Sequence, residues 1–147
     1  MAKNASFAGR VFRWIRNLVV VFFVFTIAWT LLAGFIPVLL TPLMVFRSVE
    51  AVTEGRSPKN SKDWVSIEHI SPHLVQAVIA SEDNLFMEHN GFSLDDMKKA
   101  WEHNKKGKRI RGGSTISQQT AKNVFLWNKR SYVRKGLEAY FTVLIEL

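Results

Sequence analysis

The sequence contains no cysteine. That removes thiol nucleophiles, thiolate metal sites and disulfides from consideration, and it suits an external domain that needs no cross-link. A second absence is local: from Asn17 to Phe46 there is no Asp, Glu, Lys or Arg. Val, Phe, Leu and Ile fill the gap, as in the run Leu18-Val-Val-Val-Phe-Phe-Val-Phe25. Roughly twenty apolar residues cross a hydrocarbon core, so the stretch is long enough to span a bilayer with some tilt. A cleaved signal peptide would carry a shorter apolar core and then a small-residue cleavage site. Here the run continues through Ile36-Pro37-Val38-Leu39-Leu40 with no such site at its end, so an uncleaved anchor over 17–45 is expected.

A third absence sets the orientation. Lys3, Arg10, Arg13 and Arg16 precede the apolar run with no acidic residue among them, whereas Arg47 and Arg56 beyond it are accompanied by Glu50 and Glu54. The positive-inside bias then places a basic segment, 1–16, in the cytoplasm and the residues after about 45 outside, giving a single-pass protein. The formal net charge of +8 has a second source in Lys105-Lys106-Gly107-Lys108-Arg109-Ile110-Arg111. Outside the membrane nucleic acid is not the expected partner of such a stretch. Anionic lipid headgroups or a phosphate-bearing substrate are, against the plainer reading of a solvated loop.

There is no internal repeat, no low-complexity tract and no period-two strand after the anchor. Residues 46–70 read as a connector, with Gly55, Ser57 and Pro58 breaking regularity. Helix signals then follow one another over 71–147. Ser71-Pro72 opens a helix carrying Leu74, Val75, Val78 and Ile79 on one face. Ser93 with Asp96 resembles a capping box for a helix from Leu94 to about Asn104, and Thr115 with Gln118 forms a second. Ser131 caps a last helix with Val133, Leu137, Phe141, Leu144 and Ile145 at helical spacing. No Gly, Asn or Pro ends that helix before Leu147. An amphipathic helix stopping in mid-pattern leads one to expect further structure packed beyond it.

Three segments carry chemistry. In Glu82-Asp83-Asn84-Leu85-Phe86-Met87-Glu88-His89-Asn90-Gly91, two adjacent carboxylates beside apolar side chains could place one acid in a desolvated cleft, with its pKa raised toward the range useful for proton transfer. They could equally be an exposed helix end, with His89 a structural hydrogen-bonder. In Gly112-Gly113-Ser114-Thr115-Ile116-Ser117-Gln118-Gln119, two glycines permit close backbone approach, and the helix amides that follow form an anion site with two hydroxyls beside them. Gln118 and Lys122, four apart, extend that face toward a phosphate. The competing reading is a plain loop and an ordinary cap. In Arg134-Lys135-Gly136-Leu137-Glu138, Arg134 and Glu138 lie four apart and read alone as a surface ion pair.

Together, in this order, the three segments resemble the first three motifs of the family 51 glycosyltransferases, the peptidoglycan polymerases. The family pattern is Glu-Asp-x-x-Phe-x-x-His-x-Gly, then Gly-Gly-Ser-Thr-Ile-Thr-Gln-Gln, then Arg-Lys-x-x-Glu. This chain differs in the second only by Ser117. The single anchor makes it most similar to the monofunctional biosynthetic transglycosylases. The resemblance implies a mainly α protein: one transmembrane helix, then a lysozyme-like glycosyltransferase domain at 71–147. It implies inverting polymerisation of lipid II onto a growing glycan chain, with release of undecaprenyl pyrophosphate. Glu82 would be the base and Glu138 the second catalytic carboxylate. Ser114, Gln118, Lys122 and Arg130 would contact donor phosphates, with Thr115 and Arg134 in the same substrate-binding set. Asp83, Phe86 and His89 would shape the cleft. A divalent cation, Mg or Mn, would bridge the pyrophosphate, and other cell-wall synthesis proteins would be partners. The fourth and fifth family motifs are absent, so the domain is expected to be incomplete. A non-catalytic membrane protein that binds lipid II or a cell-wall partner is the alternative. A lysozyme-like hydrolase is disfavoured, since it has no use for a pyrophosphate site.

Overall fold

The computed structural model describes residues 7–58, 62–107 and 112–147, and divides at Pro37 into two compact units. The first is one helix, α1 (Phe7–Phe35). At 1.5 Å per residue its 29 residues span about 43 Å. Arg10, Arg13 and Arg16 lie in its first third, and the uncharged part from Leu18 to Phe35 covers about 27 Å, close to a hydrocarbon core. Its apolar side chains are largely exposed, as a lipid-facing helix requires. Two polar side chains within it return to the backbone: Thr26 Oγ1 donates to Phe22 O at 2.8 Å and Thr30 Oγ1 to Thr26 O at 2.9 Å. By length and composition α1 is compatible with a single-pass membrane anchor. It ends before Ile36-Pro37, because the residue ahead of proline is pushed out of the helical region and Pro37 has no N–H to give.

The helix boundaries do not coincide with the interval expected for the anchor. The apolar run over 17–45 is not one helix: α1 stops at Phe35, and a second helix, α2 (Pro42–Thr53), starts inside the interval and runs on into the expected connector. The reason is local chemistry. Thr41 caps α2 by accepting from Met44 N at 3.2 Å, and Pro42 occupies the first turn. Residues 46–70 therefore hold most of α2 and a short 3-10 turn at Ile67–His69.

The remaining helices follow their sequence signals. They are α3 (Pro72–Glu82), α4 (Leu94–Lys105), α5 (Ile116–Phe125) and α6 (Tyr132–Glu146), with no strand among the described residues. Ser93, Thr115 and Ser131 each accept a backbone N–H through the hydroxyl. Ser71 is the exception. It sits at the cap of α3 without a side-chain cap bond, so the Pro72 start carries that signal alone. The core lies between α5 and α6. Ala121, Leu126 and Phe141 are buried, with Trp127, Leu137, Tyr140 and Leu144 around them. Phe125 and Phe141 stack with centroids 4.5 Å apart. Helix α2 also packs on α5. Thus α5, which carries the second motif, packs against both α6 and α2.

Candidate active site

The adjacent carboxylates Glu82 and Asp83 separate because α3 ends between them. Glu82 is the last helical residue and stays exposed. Asp83, at φ −162° and ψ 75°, turns its side chain inward and is 5% exposed. Its Oδ1 lies 2.8 Å from His89 Nε2, and its Oδ2 accepts from Ile116 N at 3.0 Å. The desolvated acid of the pair is thus Asp83, and both its oxygens are engaged. His89 meets the Phe86 ring edge-on at 6.3 Å, so Asp83, Phe86 and His89 form one structural unit. Glu82 has a single described partner, Gln119, whose Nε2 donates to Oε2 at 3.0 Å.

The second motif departs from expectation in a way that follows from Asp83. Three of the amides at the start of α5 are already engaged within the protein. Thr115 N donates to Gln118 Oε1 at 3.1 Å, Ile116 N to Asp83, and Gln118 N to Thr115 Oγ1 at 3.2 Å. The anion at this positive helix end is the protein's own carboxylate. Thr115 Oγ1 in turn donates to Gly91 O at 2.7 Å, and Thr115 and Gln118 are each 2% exposed. These two residues build the wall of the site. Ser114 remains exposed, Lys122 is half-buried and Arg130 is exposed. Gly113 permits the loop's approach to α4, since a Cβ there would stand 2.9 Å from Ala100 Cβ and 3.1 Å from Asp96 O.

The third motif is no surface pair. Glu138 is 3% exposed, with Lys135 Nζ donating to Oε1 at 2.5 Å and Arg134 Nη1 3.9 Å from Oε2. Two cations beside it offset the cost of burying this carboxylate. Arg134 Nε is buried with no hydrogen-bond partner.

Two clefts meet at Ser114. One, of about 430 Å³, is lined by Glu82, Asp83, Asp96, Lys99 and the Gly112–Thr115 turn. The other, of about 330 Å³, is lined by Ser114, Gln118, Lys122, Arg130, Arg134 and Glu138, among others. Glu82 and Glu138 therefore face adjoining clefts, one carboxylate in each. The expected phosphate contacts Ser114, Gln118, Lys122 and Arg130 gather in the second, with Arg134; Thr115 lies in the first. In the basic stretch, Lys105 Nζ lies 3.4 Å over the Trp101 ring, while 108–111 fall outside the described residues.

Sequence reasoning overlooked four contributors. Gln119 bonds Glu82 and also lines the second cleft, as do Lys135 and Arg47. Ser117 Oγ donates to Glu146 Oε1, tying α5 to the end of α6. Lys135 and Gln119 stood inside the quoted motifs and could have been read there. The Ser117–Glu146 link joins residues 29 apart and left no local signal.

A family model described as transglycosylase matches residues 49–147. Among curated relatives, the chain is 56% identical over 138 residues to a biosynthetic peptidoglycan transglycosylase of Bacteroides thetaiotaomicron, covering 94% of this chain and 56% of the relative. It is 54% identical over 134 residues to the protein so named in Bdellovibrio bacteriovorus, covering 91% and 54%. For that of Caulobacter vibrioides the identity is 53% over 138 residues, covering 91% and 58%. The chain spans a little over half the length of these relatives. The match starts at residue 49, within α2, ahead of the expected domain start at 71. The chain belongs to the transglycosylase family.

Proposed function

We propose that this chain carries the donor and acceptor chemistry of a peptidoglycan glycosyltransferase that polymerises lipid II. The observation that carries the reading is the pairing of an exposed carboxylate, Glu82, in one cleft with a cation-rich cleft joined to it at Ser114. The acceptor sugar occupies the Glu82 side. Glu82 takes the proton of the acceptor 4-hydroxyl as the new oxygen–carbon bond forms at the donor's anomeric carbon, and the bond from that carbon to the pyrophosphate oxygen breaks with inversion. The departing diphosphate carries the electron pair into the second cleft. Lys122, Arg130 and Arg134 neutralise it there, and the leaving group needs no protonation. Gln119 holds Glu82 toward the junction. Glu138 keeps Arg134 and Lys135 in place.

The residues of the second cleft do not fit a resident divalent cation, because lysines and arginines outnumber its one carboxylate, which is already paired. A Mg or Mn ion would instead arrive on the substrate, held by phosphate oxygens. The same reading places α1 in the bacterial inner membrane, its N-terminus cytoplasmic and 38–147 periplasmic, where a polyprenyl substrate is met in two dimensions. Other cell-wall synthesis proteins would be partners there.

Incubation with labelled lipid II tests this. Glycan strands are expected from the chain and are expected to fall by at least about 10²-fold in Glu82→Gln, the scale of a lost general base. Undiminished product in Glu82→Gln removes Glu82 as base. Retained lipid II binding without product supports the second reading, a non-catalytic binder.

A further inference from the structure

We propose that Arg47, on the juxtamembrane helix α2, is a substrate-binding residue that contacts the lipid-borne diphosphate in the second cleft. This rests on the function proposed above and adds to it a residue from outside the three motifs. In the sequence, Arg47 is simply a charge flanking an apolar run. In the structure, α2 packs on α5, and Leu43 and Arg47, one turn apart on the same face, both line the cleft.

The electrostatics of that cleft call for an anion beyond those the protein supplies. Arg47, Lys122, Arg130, Arg134 and Lys135 line it, and among the described residues its only carboxylate is Glu138. Glu138 is committed to Lys135 and Arg134. Arg134 still has a buried Nε without a hydrogen-bond partner. A diphosphate supplies the missing charge and several acceptor oxygens, and arginine's fork matches phosphate geometry better than a lysine point charge does. Helix α2 also exposes Val45, Phe46, Val49 and Val52. A helix with that surface and one arginine turned to the cleft is placed to take a phosphate attached to an apolar chain. Inorganic phosphate in solution offers the same chemistry without the chain.

The test titrates the full chain in phosphatidylcholine nanodiscs with two probes: inorganic pyrophosphate, and a polyprenyl pyrophosphate held in the disc. Arg47→Gln is expected to weaken binding of both about tenfold. Arg47→Lys, which keeps the charge and loses the fork, is expected to lose about threefold. Arg56→Gln removes an exposed arginine paired to Glu54 and is expected to change neither. Binding by Arg47→Gln equal to wild type overturns the proposal and leaves the functional reading intact. Loss with the soluble probe alone overturns the lipid-borne source. Failure of the unaltered chain to bind either probe overturns both this proposal and the functional reading. A merely topological Arg47 would leave both affinities unchanged.

Discussion

At the scale of single residues, the fate of the Glu82–Asp83 pair decides how the site is read. Residue spacing alone offers two carboxylates without saying which is which; only the family resemblance assigns the base to Glu82. The backbone change at Asp83 separates them, burying one against a histidine and a helix amide while leaving the other at a cleft. Asp83→Ala would strand both His89 and the first amide of α5, and is expected to destabilise the fold by roughly 2–3 kcal/mol, the penalty for buried unsatisfied partners. Urea unfolding of the two proteins measures this, and a shift below about 0.5 kcal/mol would contradict the bonding described. Gln119 belongs to the same scale. Gln119→Ala is expected to lower turnover of lipid II more than it raises KM, since the Gln119 amide holds the proposed base; steady-state kinetics on a chain that polymerises would show it.

At the scale of elements, caps were the most legible signals and the apolar run the least. Ser93, Thr115 and Ser131 announced α4, α5 and α6 because a hydroxyl followed by a helical pattern has one good use, satisfying an open N–H. Helix α2 escaped because Val38 to Phe46 reads as a continuation of the membrane run; its marks, Thr41 followed by Pro42, were present and outweighed by hydropathy. The burial of Asp83 at the start of α5 was not legible, because Asp83 and Ile116 are 33 residues apart and only the packing brings them together. Thr115 bears on both the cap of α5 and the Gly91 carbonyl, so Thr115→Ala is expected to cost about 1–2 kcal/mol and Thr115→Ser to restore most of it. Thermal unfolding of the pair tests this, with equal midpoints for both variants counting against the capping role.

At the scale of the whole molecule, helical class and an apolar first helix were both plain from patterning, since neither depends on distant contacts. The meeting of two clefts at Ser114 was not, because it needs α2, α3, α4, α5 and α6 together. The absence of cysteine makes the proposed topology directly testable. In intact cells, Ser57→Cys is expected to react with a membrane-impermeant maleimide, and Ala8→Cys only after the membrane is opened. The reverse pattern would invert the proposed orientation.

Gly91 joins these scales and has a consequence for genetics. At φ +76°, an added Cβ would stand 2.8 Å from both Glu146 Cγ and Thr142 Cγ2, while the Gly91 carbonyl receives the Thr115 hydroxyl. One methyl group there would press the end of the first motif away from α6 and loosen the cap of the second, with about 1–2 kcal/mol of backbone strain besides. Gly91 lines neither of the two clefts. A Gly91→Ala allele should therefore yield a temperature-sensitive protein, folded and soluble in the cold and lost on warming, as its steady-state level in cells at two temperatures would show.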